Sequence, residues 1–249
     1  MQEDDLIMKD YEMKAYEEVQ AWRLKIMKRS GMFNKLYKQA QNKINSWIPE
    51  KVHGIVTDSI KHMVKATLVG SNWTTKKQLA ITGGLAERDE LLREKHTSYR
   101  KTAVIEGAGT GAGGILLGAA DFPLLLNIKM KFLFEAAAVY GFDTRKYEER
   151  LFLLHIFQLA FSSEDKRRET LFIVENWENQ KDKLVDMDWR VFQQEYRDHI
   201  DLIKMFQLIP GFGAIVCAYA NYNLMDQLAE TAMNAYRMRV LESGGPLDY

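Results

Sequence analysis

A run of glycines in the middle of the chain limits the possible folds more than any other feature of the sequence. Four of them recur at steps of four, three and four residues, which places them on one face of a helix: Gly107, Gly111, Gly114 and Gly118. Each glycine costs a helix about 1 kcal/mol relative to alanine, so such a helix needs close packing to be stable. Gly211 and Gly213 begin a later apolar segment that is similarly small. We predict that these two glycine-bearing helices pack against each other.

The same glycines also match the dinucleotide-binding pattern G-x-G-x-x-G, over residues 109–114. In that interpretation the stretch 103–106 is a strand, and Glu135 is a loose candidate for the carboxylate that binds the ribose. The surrounding sequence does not fit, because no second strand pattern follows and Pro123 interrupts the expected helix. We therefore favour helix packing over dinucleotide binding.

Turn-forming residues are scarce, since the 249 residues include only four prolines and the glycines are clustered. Helical periodicity predominates instead, and we predict an all-α fold: a single multi-helix bundle, residues 1–249, in which a glycine-rich central helical hairpin packs against a long C-terminal helix. Cys217 is the only cysteine, which favours a reducing, cytoplasmic setting. The predicted helices cover approximately residues 3–29, 32–47, 50–69, 76–94, 103–120, 123–140, 144–162, 165–181, 188–206 and 211–242.

Charge is segregated along the chain although the formal net charge is zero. Residues 23–77, the basic block, hold twelve Lys and Arg against two Asp and Glu, and the segments on either side are acidic. Basic amphipathic helices that also carry Trp47 and Trp73 fit an anionic lipid surface better than nucleic acid, for which no known module is visible. A basic solvated helix face without a partner is the alternative. The residues that we expect to bind the anionic surface are Lys25, Lys28, Arg29, Lys35 and Lys38.

Polar residues recur beside the apolar segments and could converge into a pocket with an ion pair or acid–base groups. Helix capping and turns explain most of them more simply, with Asp121 before one predicted helix and Asp143 or Thr144 before the next. The histidines show no metal-binding spacing, so we predict no metal site and no cofactor. The candidate pocket consists of Asp121, Tyr140, Asp143, Glu149, Arg150, Asn221 and Asp226.

The segment between Lys204 and Asp226 contains 21 residues without formal charge, about the length that spans a bilayer. Polar residues within it, including Gln207 and Asn221, make it a poor lipid-facing helix. Glu106 and Asp121 interrupt the glycine-rich segment in the same way. We favour a buried helical hairpin over membrane insertion for residues 107–128 and 205–225.

Three stretches of this sequence resemble the EcsC protein family: residues 106–143, 147–157 and 209–242. The similarity lies in the order of the glycine run, Asp121-x-Pro123, Tyr140-Gly141, the acidic-Arg pair at 149–150 and the Pro-Gly at 210–211. It covers approximately Tyr99 to Leu241, the EcsC-like core, and is weaker upstream. The section from Asp121 to Gly141 is also similar to helical membrane-associated domains that accompany some bacterial GTPases.

The resemblance implies a bacterial protein of a Bacillus-like lineage. The family's namesake is encoded beside the Ecs ABC transporter, which is linked to protein secretion and competence, and the family supplies no catalytic residues to carry over. We therefore expect a cytoplasmic, membrane-associated accessory protein at the inner face of the cell membrane. Its expected partners are an anionic membrane surface and an Ecs-type ABC transporter, without nucleic acid. The alternative is an enzyme that acts on a lipid or nucleotide near Asp121, Glu149 and Asn221.

Overall fold

The computed structural model describes residues 2–28, 50–70, 83–109, 121–162, 164–185 and 214–243. Within these residues the regular elements are all α-helices, and they form a bundle, which confirms the predicted all-α fold. The helices are α1 (Gln2–Met27), α2 (Glu50–Val69), α3 (Leu85–Gly109), α4 (Phe122–Tyr140), α5 (Tyr147–Phe161), α6 (Glu164–Glu175), α7 (Trp177–Val185) and α8 (Ala214–Ser243).

Helix α8 packs along α3 over a longer stretch than any other pair of described helices, and it also contacts α1, α4, α5 and α6. Helix α4 lies between α2 and α3. Most residues of α4 and α5 are buried, including every residue from Leu151 to Phe161. These two apolar helices form the centre of the core, and the more polar α1, α2 and α3 cover it with one face each.

Glycines end two of the helices in a left-handed conformation. Gly70 follows α2 with φ of 74°, and Gly141 follows α4 with φ of 88°. After α4, the N–H of Gly141 bonds to the carbonyl of Ala138 and the N–H of Phe142 to that of Ala137. These bonds satisfy the carbonyls of the last turn and fix the direction in which the chain leaves the helix. They also set the position of Tyr140, the last residue of α4.

The observed helix boundaries agree with the sequence at some points and differ at others. Helices α2 and α4 match their predicted spans closely. Helix α3 is continuous from Leu85 to Gly109, whereas the sequence predicted an interruption after residue 94. The predicted helix 165–181 is divided at Asn176, whose side-chain amide donates to the carbonyl of Phe172. The predicted helices 32–47 and 188–206 lie outside the described residues.

The end of α3 tests the two interpretations of the glycine run. The stretch 103–106 is helical, so the strand that dinucleotide binding requires is absent there and that interpretation is wrong. Gly107 lies in the last turn of α3. The other five glycines of the predicted contact lie outside the described residues, so the glycine hairpin stays a prediction. Among the described helices, none combines the length and the apolar character needed to cross a membrane.

Candidate functional site

Asp89 of α3 is a fully buried carboxylate to which three other helices bring hydrogen-bond donors. Tyr11 of α1 donates to Oδ2 at 2.8 Å, and Tyr140 of α4 donates to Oδ1. Arg237 of α8 approaches Oδ2 through Nε at 2.8 Å and through Nη2 at 2.7 Å. A buried charge of this kind is tolerated because both oxygens accept hydrogen bonds and a cation lies beside them.

Two of the groups around Asp89, Tyr140 and Arg237, have raised pKa values. Burial, and then the negative charge of Asp89, raise the pKa of Tyr140 well above its usual value of 10.0. Burial alone would lower the pKa of Arg237, but the hydrogen bond and charge of Asp89 outweigh it, so this pKa is raised. Arg237 also bonds Glu18 of α1 at 2.7 Å. The cluster is therefore a fixed ion pair with two tyrosine donors.

A second buried ion pair joins α8 to α5. Arg239 binds Glu149 through two parallel hydrogen bonds of 2.7 and 2.8 Å, and both side chains are only 8% exposed. The guanidinium lies between two aromatic rings, 3.9 Å from the centre of Phe142 and 4.5 Å from that of Phe152. Bidentate geometry and aromatic faces on both sides are favourable for a buried arginine.

Tyr236 separates the two ion pairs on α8. Its ring stacks on Tyr140 at 5.3 Å and on Phe142 at 5.2 Å, and contacts the edge of Phe152 at 5.5 Å. Its hydroxyl has no hydrogen-bond partner among the described residues. Burial, and then the charge of Glu149, raise its pKa well above 10.0.

Together these residues form a polar and aromatic layer through the bundle, the α8 clamp: Asp89, Tyr140, Glu149, Tyr236, Arg237 and Arg239. Each carboxylate in it is matched by one guanidinium. Such pairs contribute little net stability over an apolar core, but removing one partner leaves a costly unpaired charge. The chemistry of the layer is therefore that of a structural clamp, which fixes how α8 meets α3, α4 and α5.

Of the seven candidate pocket residues, Tyr140 and Glu149 belong to the α8 clamp, and the others that are described lie elsewhere. Asp143 bonds the exposed Arg145 at 2.8 Å, and this bond holds the pKa of Asp143 below its usual range. Asp121 lies at the start of α4, where its carbonyl accepts from Leu124 at 3.0 Å but its side chain makes no capping bond. Lys146, rather than Asp143 or Thr144, occupies the capping position of α5.

Arg150 connects two helix ends through backbone carbonyls. Its Nε donates to Leu68 at the end of α2 at 2.9 Å, and its Nη1 donates to Arg145 at 2.6 Å, just before α5. Gly70 lies directly against it, since a Cβ on that glycine would meet Arg150 Cδ at 3.1 Å. The adjacent residues Glu149 and Arg150 thus make two different structural contacts, Glu149 with Arg239 and Arg150 with backbone carbonyls.

Asp226 of α8 lies far along the helix from the clamp and faces α3. Its Oδ1 is 2.8 Å from His96 Nε2 and 3.3 Å from Arg100 Nη1. Burial lowers the pKa of His96, although the charge of Asp226 opposes this. Both residues line an open groove of about 510 Å³ between α1, α3 and α8. Asn221 lies on α8, and its side chain is outside the description, so the seven-residue pocket as a whole stays a prediction.

The basic block is described in part, as the last residues of α1 and the whole of α2. Lys25 is exposed and lies 3.2 Å from Glu230 of α8, and Lys28 is exposed at the end of α1. Helix α2 points Lys51, Lys65 and His62 to the surface. Arg29, Lys35 and Lys38 lie outside the described residues.

Two further buried basic residues were not singled out from the sequence. Lys129 of α4 is completely buried, its Nζ has no hydrogen-bond partner among the described residues, and burial lowers its pKa to about 8. His155 of α5 donates from Nδ1 to the Leu151 carbonyl at 2.8 Å and packs beside Trp177, and burial lowers its pKa to about 4. The one sequence signal for both is their position among apolar neighbours.

These features describe an all-α protein in which the last described helix, α8, is clamped into the bundle by buried ion pairs. The sequence matches the EcsC protein family over residues 13–241, so the chain belongs to the EcsC protein family. This match begins well upstream of Tyr99 and includes α1 from Met13 onward and the basic block.

Two relatives of this chain come from Bacillus subtilis. The protein named EcsC is 50% identical over 226 residues, which are 91% of this chain and 94% of that protein. The uncharacterized protein YdbA is 30% identical over 155 residues, which are 61% of this chain and 57% of its own length. No solved structure matches the chain.

Proposed function

We propose that this protein is a helical accessory protein that binds the anionic inner face of the cell membrane from the cytoplasm. The observation that carries the proposal is the outward face of α2. Lys51 and Lys65 are exposed there with His62, and Lys61 lies beside them in a pair with Asp58 at 3.3 Å. Glu50 and Asp58 are the only acidic residues in α2, so this face has a net positive charge.

The opposite face of α2 supports this proposal by holding the helix rigidly. Val52, Val56, Ile60 and Val64 are completely buried, so the lysines project from a fixed helix and not from a loose segment. A lysine close to an anionic membrane contributes about 1 kcal/mol of binding free energy. Lys25 will contribute less than its sequence position suggests, because Glu230 already lies within 3.2 Å of it.

Liposome flotation tests this proposal. The purified protein is floated with neutral and with anionic vesicles at low and at high salt. We expect binding to anionic vesicles that is reversed by salt, because screening weakens exposed charges. Binding that resists salt would indicate insertion of apolar helices instead, and an absence of flotation would contradict the membrane proposal.

Charge-neutralising variants locate the binding surface. Lys51→Gln and Lys65→Gln should each weaken binding to anionic vesicles by about fivefold. The matched control is Lys101→Gln with Lys183→Gln, which removes the same charge from exposed positions outside the basic block. Equal losses in both sets would mean that only net charge matters. The five sequence-predicted residues, Lys25, Lys28, Arg29, Lys35 and Lys38, form a separate set that tests the original prediction.

We further propose that the protein works with an Ecs-type ABC transporter in protein secretion. The support is membership of the EcsC family and the 50% identity to the protein named EcsC. A tagged copy recovered from detergent-solubilised membranes should retain the transporter subunits. If the transporter is absent while vesicle binding persists, the transporter link fails and the membrane proposal stands.

The enzyme alternative gains no support from the described residues. Both carboxylate oxygens of Glu149 are engaged by Arg239 at 2.7 and 2.8 Å, so Glu149 is not placed to act as an acid or base. Asp121 lies at the opposite end of α4 from Tyr140. We therefore keep the accessory role as the proposed function.

A further inference from the structure

Helix α1 has a second apolar stripe, on the face opposite to the one that enters the core. The inner face buries Ala15, Val19 and Trp22. On the outer face four large side chains remain exposed, and they follow one line along the helix: Met13 at 43%, Tyr16 at 40%, Leu24 at 64% and Met27 at 52% exposed. Gln20 lies on the same line between them. An exposed line of large apolar side chains on a well-packed helix is typical of an interaction surface.

The spacing of this stripe is symmetric about Gln20. Met13 and Met27 are equally far from Gln20 along the chain, and so are Tyr16 and Leu24. If a second copy of α1 lay antiparallel with Gln20 opposite Gln20, Met13 would face Met27 of the other copy and Tyr16 would face Leu24. The intervals of 11 residues from Met13 to Leu24 and from Tyr16 to Met27 keep the stripe almost straight on an α-helix.

The charges beside the stripe favour the same arrangement. Asp10, Glu17 and Lys28 are all exposed and follow one flank of the stripe, with the acidic residues in the first half and the lysine in the second. Antiparallel pairing brings Asp10 of one copy beside Lys28 of the other. In a parallel pair, Asp10 of one copy and Lys28 of the other would lie 18 residues apart along the contact, so this attraction would be lost.

We propose that this protein forms a two-fold symmetric dimer in which the outer stripes of two α1 helices pack antiparallel about Gln20. A two-fold axis requires a self-complementary surface, and both the apolar pattern and the charge pattern of α1 meet that requirement. The acidic flank disfavours an anionic membrane as the occupant of this stripe. The dimer would place two basic blocks on one particle, so it would strengthen vesicle binding through multivalency, but it does not depend on that binding.

The contact is limited to one helix from each copy, so it is smaller than the approximately 800 Å² per partner of a standard interface. We therefore expect a monomer–dimer equilibrium that depends on protein concentration. Sedimentation of the full chain without lipid should show this dimer. Leu24→Asp should abolish it, whereas Leu124→Asp on α4, with 43% exposure at the substituted leucine, should leave it intact.

A charge exchange tests the antiparallel orientation. Asp10→Lys places two lysines opposite each other and should weaken the dimer, and Lys28→Asp should do the same with two aspartates. The double variant Asp10→Lys/Lys28→Asp restores opposite charges across the axis and should dimerise like the original chain. A double variant as weak as the singles would overturn the proposed orientation.

Cysteine cross-linking tests the position of the axis, in a background in which Cys217 is replaced by serine. Gln20→Cys should form a disulfide with its own copy, because it lies on the axis. Met13→Cys alone should not, but a mixture with the Met27→Cys chain should link readily. A chain that is monomeric at all concentrations, or equal cross-linking at Gln20 and Met13, would overturn the proposal.

Discussion

Lys129 gives a quantitative prediction, because its buried amine should lower the free energy of unfolding. Its amine is completely buried on α4. Burial lowers its pKa from 10.5 to about 8, so at pH 7 the protein still holds a charged amine without solvent. Each pKa unit corresponds to about 1.4 kcal/mol, so the folded state loses about 3 kcal/mol at pH 7. Lys129→Met, which has a similar shape and no charge, should recover about that amount.

The pH dependence distinguishes this explanation from improved packing. The pKa of Lys129 is lower in the folded state than in the unfolded state. The loss of unfolding free energy is therefore absent above pH 10.5, grows as the pH falls from 10.5 to 8, and is constant below 8. The gain from Lys129→Met, measured by urea unfolding, should therefore be about 3 kcal/mol at pH 7 and less than about 1 kcal/mol at pH 10.

The control for this experiment is Lys131→Met, at an exposed position on the same helix, which should change stability by less than about 0.5 kcal/mol. Destabilisation by Lys129→Met at pH 7 would refute the reasoning, since it would mean that the amine makes a contact that the fold requires. A gain that does not change with pH would also refute it, because the effect would then come from packing alone.

Two further predictions concern pH and glycine. The folded pKa of His155 is about 4 and its ordinary value is 6.5, so the stability present above pH 6.5 should fall progressively between pH 6.5 and 4. His155→Leu should remove up to about 3 kcal/mol of that fall in unfolding free energy, as measured by urea unfolding at each pH. A fall of the same size in the variant would contradict the prediction. Gly141→Ala should lower the unfolding free energy by about 1–2 kcal/mol, because Gly141 has φ of 88°. Gly54→Ala in α2 should raise it by about 1 kcal/mol, because nothing lies within 4 Å of the added carbon; thermal melts of both variants should therefore shift in opposite directions.

The sequence predicted helices well where their ends have local causes. Pro49 precedes α2 and Gly141 follows α4, and both helices begin and end where expected. The continuity of α3 was missed because the stretch 95–102 is polar and looked like a connection. In the structure its hydroxyls are satisfied within the helix, since Thr97 donates to the carbonyl of Arg93 at 3.0 Å and Thr102 to that of Ser98 at 3.2 Å.

The residues of the α8 clamp could be predicted only in part, because their role depends on partners far away in the chain. Tyr140 and Glu149 were singled out from their apolar surroundings. Asp89 lies in a strongly charged stretch that looks solvent-exposed, and its partner Arg237 is 148 residues away. Without an observation that links α3 to α8, nothing in either stretch distinguishes a buried charge from a surface one.

The clamp also explains how one rotation of α8 is selected among several apolar alternatives. Arg237 and Arg239 are two residues apart, so they point to nearly opposite sides of the helix, one to Asp89 and the other to Glu149. A shift of α8 by one residue would rotate both arginines away and leave two buried carboxylates unpaired. Each such loss costs about 3–5 kcal/mol.

The Glu149–Arg239 pair allows this argument to be tested with a double-mutant cycle. Glu149→Leu leaves a buried guanidinium beside Glu178, at 3.1 Å, and Arg239→Met leaves a buried carboxylate, so each should lower the unfolding free energy by about 3–5 kcal/mol. The double variant replaces the pair with apolar side chains between Phe142 and Phe152, and it should recover most of that loss. If the two losses simply add in urea unfolding, the two charges are not coupled and the clamp does not determine how α8 packs.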